Sequence, residues 1–187
     1  MIVRQKGFAA TSVDDLCRAA NVTKGAFFHH FESKEALGVA AADHWSLVTG
    51  AFFEAAPYHQ HADALDRVLG YLDFRKDILL GTVPEFTCLV GTMVQEVYDA
   101  HPSIREACEA SISGHAAKVE ADLEEAMCAR GLDERDAKSL ALHMQAVLQG
   151  SFILAKAKGD ASVVGESLAH LRRYVELMFR YPSTREA

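Results

Sequence analysis

Residues 23–37 read TKGAFFHHFESKEAL, which places Phe27, Phe28, His29, His30 and Phe31 in a row directly after a Lys-Gly pair. A buried core accommodates phenylalanine but not two adjacent imidazoles, and a solvated helix does the reverse, so some of these rings face inward and others outward. The flanking residues set the frame. Upstream, Thr11 or Ser12 caps a helix with Asp14 and Asp15 in its first turn, where the helix dipole favours negative charge, and with Val13, Leu16, Cys17 and Ala20 as its inner stripe. Asn21-Val22-Thr23 interrupts that helix, and Thr23 caps a further helix of about two turns ending near Phe31. Two short helices across a three-residue turn form the helix-turn-helix pattern, whose second helix enters a major groove. Phe27 and Phe31, four apart, share the inner face, and Phe28 lies about 100° round from Phe27. Lys24, Gly25, Phe28 and His29 then line the outer face. Gly25 lets the backbone approach phosphate, Lys24 and Lys34 supply charge, and an imidazole donates or accepts at a base edge.

The longer stretch GFAATSVDDLCRAANVTKGAFFHHFESKEAL, residues 7–37, resembles the DNA-binding segment of the TetR family of transcriptional repressors. The resemblance implies an all-α protein with a three-helix helix-turn-helix head over residues 1–45 and a helical ligand-binding and dimerisation body over residues 46–187. It also implies DNA contacts from Thr11, Ser12, Thr23, Lys24, Gly25, Ala26, Phe28, His29, His30 and Lys34, with Lys34 on phosphate. Three positions depart from the family pattern. Phe28 replaces the usual tyrosine and so removes a hydroxyl that donates to phosphate. Asn21 replaces the glycine of the turn, and asparagine is among the few other residues that tolerate a left-handed conformation. Finally, the family's first helix has two or three turns, yet only Ile2 to Lys6 precede Gly7, so the head is expected either to be less stable than in relatives or to begin upstream.

The charge distribution fits a DNA-facing head. The chain of 187 residues carries a net charge of -7, which by itself disfavours phosphate, but residues 1–40 hold Arg4, Lys6, Arg18, Lys24 and Lys34 against four acids, leaving the deficit in the remainder. With 50% hydrophobic residues there is material for one sizeable core. No apolar run approaches the roughly 18 residues of a membrane span, MIVRQKGF lacks signal-peptide features, and Cys17, Cys88, Cys108 and Cys128 form no CxxC pair. The expected location is cytoplasmic, with reduced thiols.

Beyond the head, apolar residues recur at three- and four-residue steps, and only four prolines interrupt them. Ser33 caps a long helix toward Phe52 and Phe53, closed by Pro57. Further helices are expected from Leu65 to Leu79, from Pro84 to His101, from Ser103 to Gly131, from about Asp133 to Lys158 and from Ser162 to about Arg180. In the last two, Leu140, Met144, Val147, Ser151 and Leu154 share one stepping pattern with Val164, Leu168, Leu171, Val175 and Met178. Such stripes can pair with their two-fold copies in a four-helix bundle, with Gly150 permitting close approach, and a homodimer spaces two recognition helices about 34 Å apart on a palindromic operator in double-stranded DNA. Phe74, Phe86, Met93 and Phe152, with Cys88, His115, His143 and Gln149 as polar groups, have the composition of a pocket for an apolar or aromatic effector.

Two other readings stand beside a ligand-released repressor. Cys88 could serve as an oxidant- or electrophile-sensing thiol, and a helical interaction module would account for the helices but not for residues 7–37. An enzyme is disfavoured, because the sequence has no P-loop, GxSxG or GxGxxG. No cofactor is expected. None of the nine histidines has HExxH or other metal-ligand spacing.

Overall fold

A computed structural model of the chain describes residues 1–181, and within them all regular structure is helical. The α-helices are α1 (Ile2–Lys6), α2 (Val13–Ala20), α3 (Lys24–His30), α4 (Lys34–Glu54), α5 (Ala64–Asp77), α6 (Val83–Phe86), α7 (Leu89–Val97), α8 (Pro102–Cys128), α9 (Ala137–Lys158) and α10 (Ser162–Arg180). Short 3-10 turns cover Pro57–Gln60 and Glu134–Asp136. The all-α expectation holds. The single helix expected from Pro84 to His101 is instead two, because Cys88 takes an extended conformation (φ -76, ψ 128) and starts α7 afresh, its Sγ accepting from the Gly91 N–H.

Two compact units divide the chain: residues 1–52 with 87–113, and residues 53–86 with 114 onward. In the first, Phe8, Ala42, Val90, Met93, Val97, Ile104 and Cys108 form a buried cluster, with Val3, Val39 and Trp45 packed on it. Gly38 belongs to this packing by its lack of a side chain, since a Cβ there would stand 2.8 Å from Ile104 Cδ1 and 3.0 Å from the Phe8 ring. The second unit is built on the paired α9 and α10 with α5 packed on α10. Its interior includes Val68, Tyr71, Leu72, Leu123, Met144, Leu148, Val164 and Val175, all nearly inaccessible to solvent. A helix bundle buries one stripe of each helix in this way, because 3.6 residues per turn bring every third or fourth side chain back to the same face.

The join between α1 and α2 depends on Gly7. It ends α1 with φ 88 and ψ 159, which is not the left-handed cap that a terminal glycine suggests but the extended positive-φ region open essentially to glycine alone. The carboxylate of Glu96, on α7, stands against it: a Cβ on Gly7 would lie 2.3 Å from Glu96 Oε1, and the same carboxylate accepts the Ala9 N–H at 2.9 Å. Gly7→Ala is therefore expected to lower the unfolding free energy by about 2 kcal/mol through backbone strain and displacement of Glu96. Urea unfolding measures this, and a loss below about 0.5 kcal/mol would show that neither the glycine conformation nor the Glu96 contact is held rigidly.

Candidate nucleic-acid interface and effector site

The helix-turn-helix closes through local hydrogen bonds. Ser12 and Asp15 form a reciprocal capping box: the Asp15 N–H donates to the Ser12 hydroxyl at 3.1 Å, and the Ser12 N–H donates to the Asp15 carboxylate at 2.9 Å. Lys6 donates to the same carboxylate at 2.6 Å, and this bond, with those from Ser12, holds Asp15 far below the usual carboxyl range. Asn21 adopts φ 53 and ψ 45, the left-handed geometry expected of it, and lets the chain turn sharply between helices. Thr23 then caps α3 by accepting the Ala26 N–H at 3.1 Å.

This frame sorts the opening ring cluster. Phe27 is buried and packs on Phe31, with ring centroids 5.6 Å apart. Phe28 is 54% exposed, and His29 and His30 are both exposed with their rings edge to face. Lys24, Gly25 and Ala26 are exposed as well. Lys24 pairs with Asp14 at 2.8 Å, a contact between two solvated side chains that holds little energy. From Lys24 to Phe31 the segment contains no acid. Gly25 has no packing duty, because a Cβ added there would meet only Thr23 Oγ1, at 3.7 Å.

Two residues expected at DNA are engaged inside the protein. Thr11 is 1% exposed, and its hydroxyl donates to the Gly7 carbonyl at 2.5 Å, so it fastens the α1–α2 connection and has no face for phosphate. Lys34 donates to the carbonyls of Phe8 and Thr11, both at 2.9 Å, and its ammonium lies 4.5 Å from the Phe8 ring centroid. A cation at the N-terminus of α4 opposes the helix dipole. Here carbonyl oxygens on the neighbouring loop supply the negative partner.

The expected effector set does not assemble as one site. Met93 is in the core of the first unit with Cys88 packed at its margin, whereas Phe74, Phe86, His115, His143, Gln149 and Phe152 belong to the second. Phe86 and Phe152 meet at 6.4 Å, but His143 is exposed and pairs with Tyr174. His115 and Phe74 join a cluster whose other members lack an obvious sequence signal: Phe53, Tyr58, Tyr71, Arg75 and Gln145. The Arg75 guanidinium lies 4.3 Å from the Phe53 ring centroid and donates through Nε to the Tyr71 oxygen at 3.0 Å. His115 Nε2 stands 3.0 Å from both the Tyr71 hydroxyl and Arg75 Nη2. Burial first, then the charges of Arg75 and Lys118, lower the His115 pKa to about 3, so its ring is neutral. Burial raises the Tyr58 hydroxyl out of the titrating range as well.

The seam residues also sort differently. Leu140, Met144, Ser151, Val164, Leu168, Leu171 and Val175 are buried within one chain, so that stripe is the seam between α9 and α10 themselves. A residue with its surface already covered by its own chain has none to offer a second copy. The neighbouring stripe remains open: His143, Val147, Gly150 and Leu154 on α9, with Tyr174 and Leu177 on α10, are exposed or half-buried.

A helix-turn-helix with an exposed, acid-free second helix, joined to a helical bundle with its own core, defines a DNA-binding regulator of the two-part helical class. Residues 1–41 match the family of bacterial regulatory proteins designated tetR, and residues 64–166 match the C-terminal domain of LmrA/YxaF-like transcriptional regulators. The chain belongs to the TetR family of transcriptional regulators. It is 28% identical over 185 residues to the HTH-type transcriptional repressor NemR of Escherichia coli K12, an alignment covering 91% of this chain and 86% of that protein. Among solved structures, a TetR transcriptional regulator of Chloroflexus aurantiacus superposes with a TM-score of 0.77 at 27% identity, covering 93% of this chain and 88% of that one. E. coli NemR in its reduced form gives 0.75 at 24% identity over 92% and 90%, a likeness of fold. No helix among the described residues is long and apolar enough to cross a membrane, and no group of three or more His, Cys, Asp or Glu side chains among them is placed to hold a metal ion.

Proposed function

We propose that the protein is a transcriptional repressor that binds a palindromic operator as a homodimer and leaves it when a small molecule occupies the second unit. The observation that carries this reading is the outer face of α3. It presents Lys24, Gly25, Phe28, His29 and His30 to solvent, with a glycine that no internal packing requires. An exposed phenylalanine and an unneeded glycine are unfavourable for a free helix but suit a face that meets another surface. The repressor designation of the NemR relative supports the direction of regulation.

Residues 1–45 act as the DNA-binding head and those beyond as the ligand-binding and dimerisation body. The dimer seam is the stripe His143, Val147, Gly150 and Leu154 with Tyr174 and Leu177, since Leu154 and Leu177 are each 52% exposed in the single chain and Gly150 has open space where a Cβ would stand. Helix α4 contributes Lys34 to the first unit and Phe53 to the second, which makes it the lever by which an effector alters the spacing of the heads.

A gel shift against the DNA upstream of its own gene, with solution mass measured in parallel, tests the reading. Two chains per operator are expected. Lys24→Ala should weaken binding to all sequences alike and reduce the salt slope by about one, whereas His29→Ala should change base preference at one position of each half-site by about 1–3 kcal/mol. A monomer that binds the palindrome tightly would overturn the dimer, and release that depends on Cys88 and disappears in Cys88→Ser would assign the response to the thiol.

A further inference from the structure

The cluster around Arg75 has more hydrogen-bond donors than acceptors. Arg75 Nε and Gln145 Nε2 both donate to the Tyr71 oxygen, at 3.0 and 3.4 Å. The Tyr71 proton must then point elsewhere, and His115 Nε2 is its acceptor at 3.0 Å. Arg75 Nη2 is aimed at the same nitrogen, also at 3.0 Å. A neutral imidazole nitrogen offers one lone pair in the ring plane, so two donors compete for one site. Even with the Gln145 amide oxygen counted, three acceptor atoms, the Tyr71 oxygen, His115 Nε2 and Gln145 Oε1, face the more numerous N–H and O–H groups of Arg75, Tyr71 and Gln145.

The charge is unmatched as well. No carboxylate among the described residues pairs with Arg75, although its neighbours' acids are engaged: Glu54 with Lys118, Asp122 with Arg67 and Asp73 with Arg172. Tyr71 is 2% exposed and Gln145 is 5% exposed, so water has little access to the polar atoms that frame the guanidinium, while Arg75 itself is half-buried and reachable from solvent. A guanidinium in such surroundings, with its remaining N–H groups in a planar fork, fits a bidentate oxyanion. The adjoining walls are aromatic: Phe53, Tyr58 and Phe74 lie with ring centroids 5.7 to 5.8 Å apart.

From this surplus of donors beside aromatic walls we infer that the effector is an aromatic carboxylate, held through its carboxyl group by Arg75 with Tyr71 and Gln145 as supporting donors. The inference rests on the effector-released reading above and sharpens it. The ligand carboxylate supplies an acceptor for the surplus donors, relieving the competition for His115 Nε2, and its ring packs on Phe74, the half-buried member of the aromatic wall. A neutral aromatic of the same shape gains the ring contacts alone.

Isothermal titration of the full chain with benzoate, phenylacetate and cinnamate, each beside its uncharged primary amide at fixed ionic strength, tests this. At least one acid is expected to bind tenfold or more tightly than its amide and to raise the thermal midpoint. In Arg75→Gln, checked for helicity by circular dichroism, that preference should fall to within about twofold. Equal binding of every acid and its amide, no binding of any acid at millimolar concentration, or a folded Arg75→Gln chain that keeps the preference overturns the inference. The acid-amide comparison uses the unaltered chain and so stands even where the variant does not fold. Operator release is scored separately. Acids that bind through Arg75 without releasing DNA sink the repressor mechanism but leave the site, whereas release by neutral aromatics that Arg75→Gln does not alter sinks the site but leaves the mechanism.

Discussion

Acidification from pH 7 to pH 4 is expected to remove about 3 kcal/mol of stability through His115 alone. The folded chain holds this imidazole neutral, with a pKa of about 3 against 6.5 in the unfolded chain, because burial and the charges of Arg75 and Lys118 oppose a second proton. A depressed folded pKa means that the unfolded state binds more protons everywhere between these two values. Stability is thus complete above about pH 6.5 and falls as pH drops toward 3. Groups that also lose favourable contacts in acid, such as Asp63 with Arg130, do so in wild type and variant alike and cancel in a comparison. His115→Gln keeps an acceptor for the Tyr71 and Arg75 donors but does not titrate. Urea unfolding at pH 7, 5.5 and 4 should therefore show the variant losing about 3 kcal/mol less than wild type across the range. A difference under about 1 kcal/mol would mean that the ring is not held neutral among these groups.

Lys34→Ala should lower the unfolding free energy by about 3 kcal/mol in the absence of DNA, since it removes two charge-assisted hydrogen bonds and a cation–π contact together. The carbonyls of Phe8 and Thr11 lose their ammonium partner, and Phe8, at 3% exposure a member of the first unit's core, loses the group that fixes its loop. Operator binding should fall steeply as a consequence, because this loop leads into the Ser12 cap of α2. Chemical unfolding of the free protein separates this from a phosphate contact. An unchanged unfolding free energy, combined with uniformly weaker DNA binding and a shallower salt slope, would return Lys34 to the DNA backbone.

The head was legible in the sequence to a considerable depth. Ser12, Asp15, Asn21 and Thr23 act on backbone groups within three or four positions of themselves, and interactions of that range are written in residue spacing. The inward Phe27 and outward Phe28 and His29 followed from helical periodicity for the same reason. Lys34 and Thr11 did not, because their partners are carbonyls on a connection whose path is set by Gly7 and Glu96, far apart in the chain.

The body shows the same limit more strongly. The stepping of Leu140, Met144, Val164 and Leu168 identified a buried seam but assigned it to a second copy, because an apolar stripe has the same spacing whether it meets its own chain or another. Only the three-dimensional packing covers that stripe with α9 and α10 themselves and leaves His143, Val147, Gly150 and Leu154 outside. The cluster around Arg75 is the extreme case. Arg75 in a stretch of ordinary amphipathic helix reads as a solvated surface cation, and Gln145 as a neutral member of α9. Their meeting with His115 joins residues of three helices remote in sequence. The sequence by itself thus determined the all-helical class, the caps of α2 and α3 and the helix-turn-helix motif, where each residue acts on near neighbours along the chain, but not the break at Cys88 or the conformation of Gly7. Only the tertiary structure decided which stripes are already covered and where, among the described residues, a guanidinium stands without a carboxylate, since burial and charge pairing depend on distances that the chain closes only when it folds.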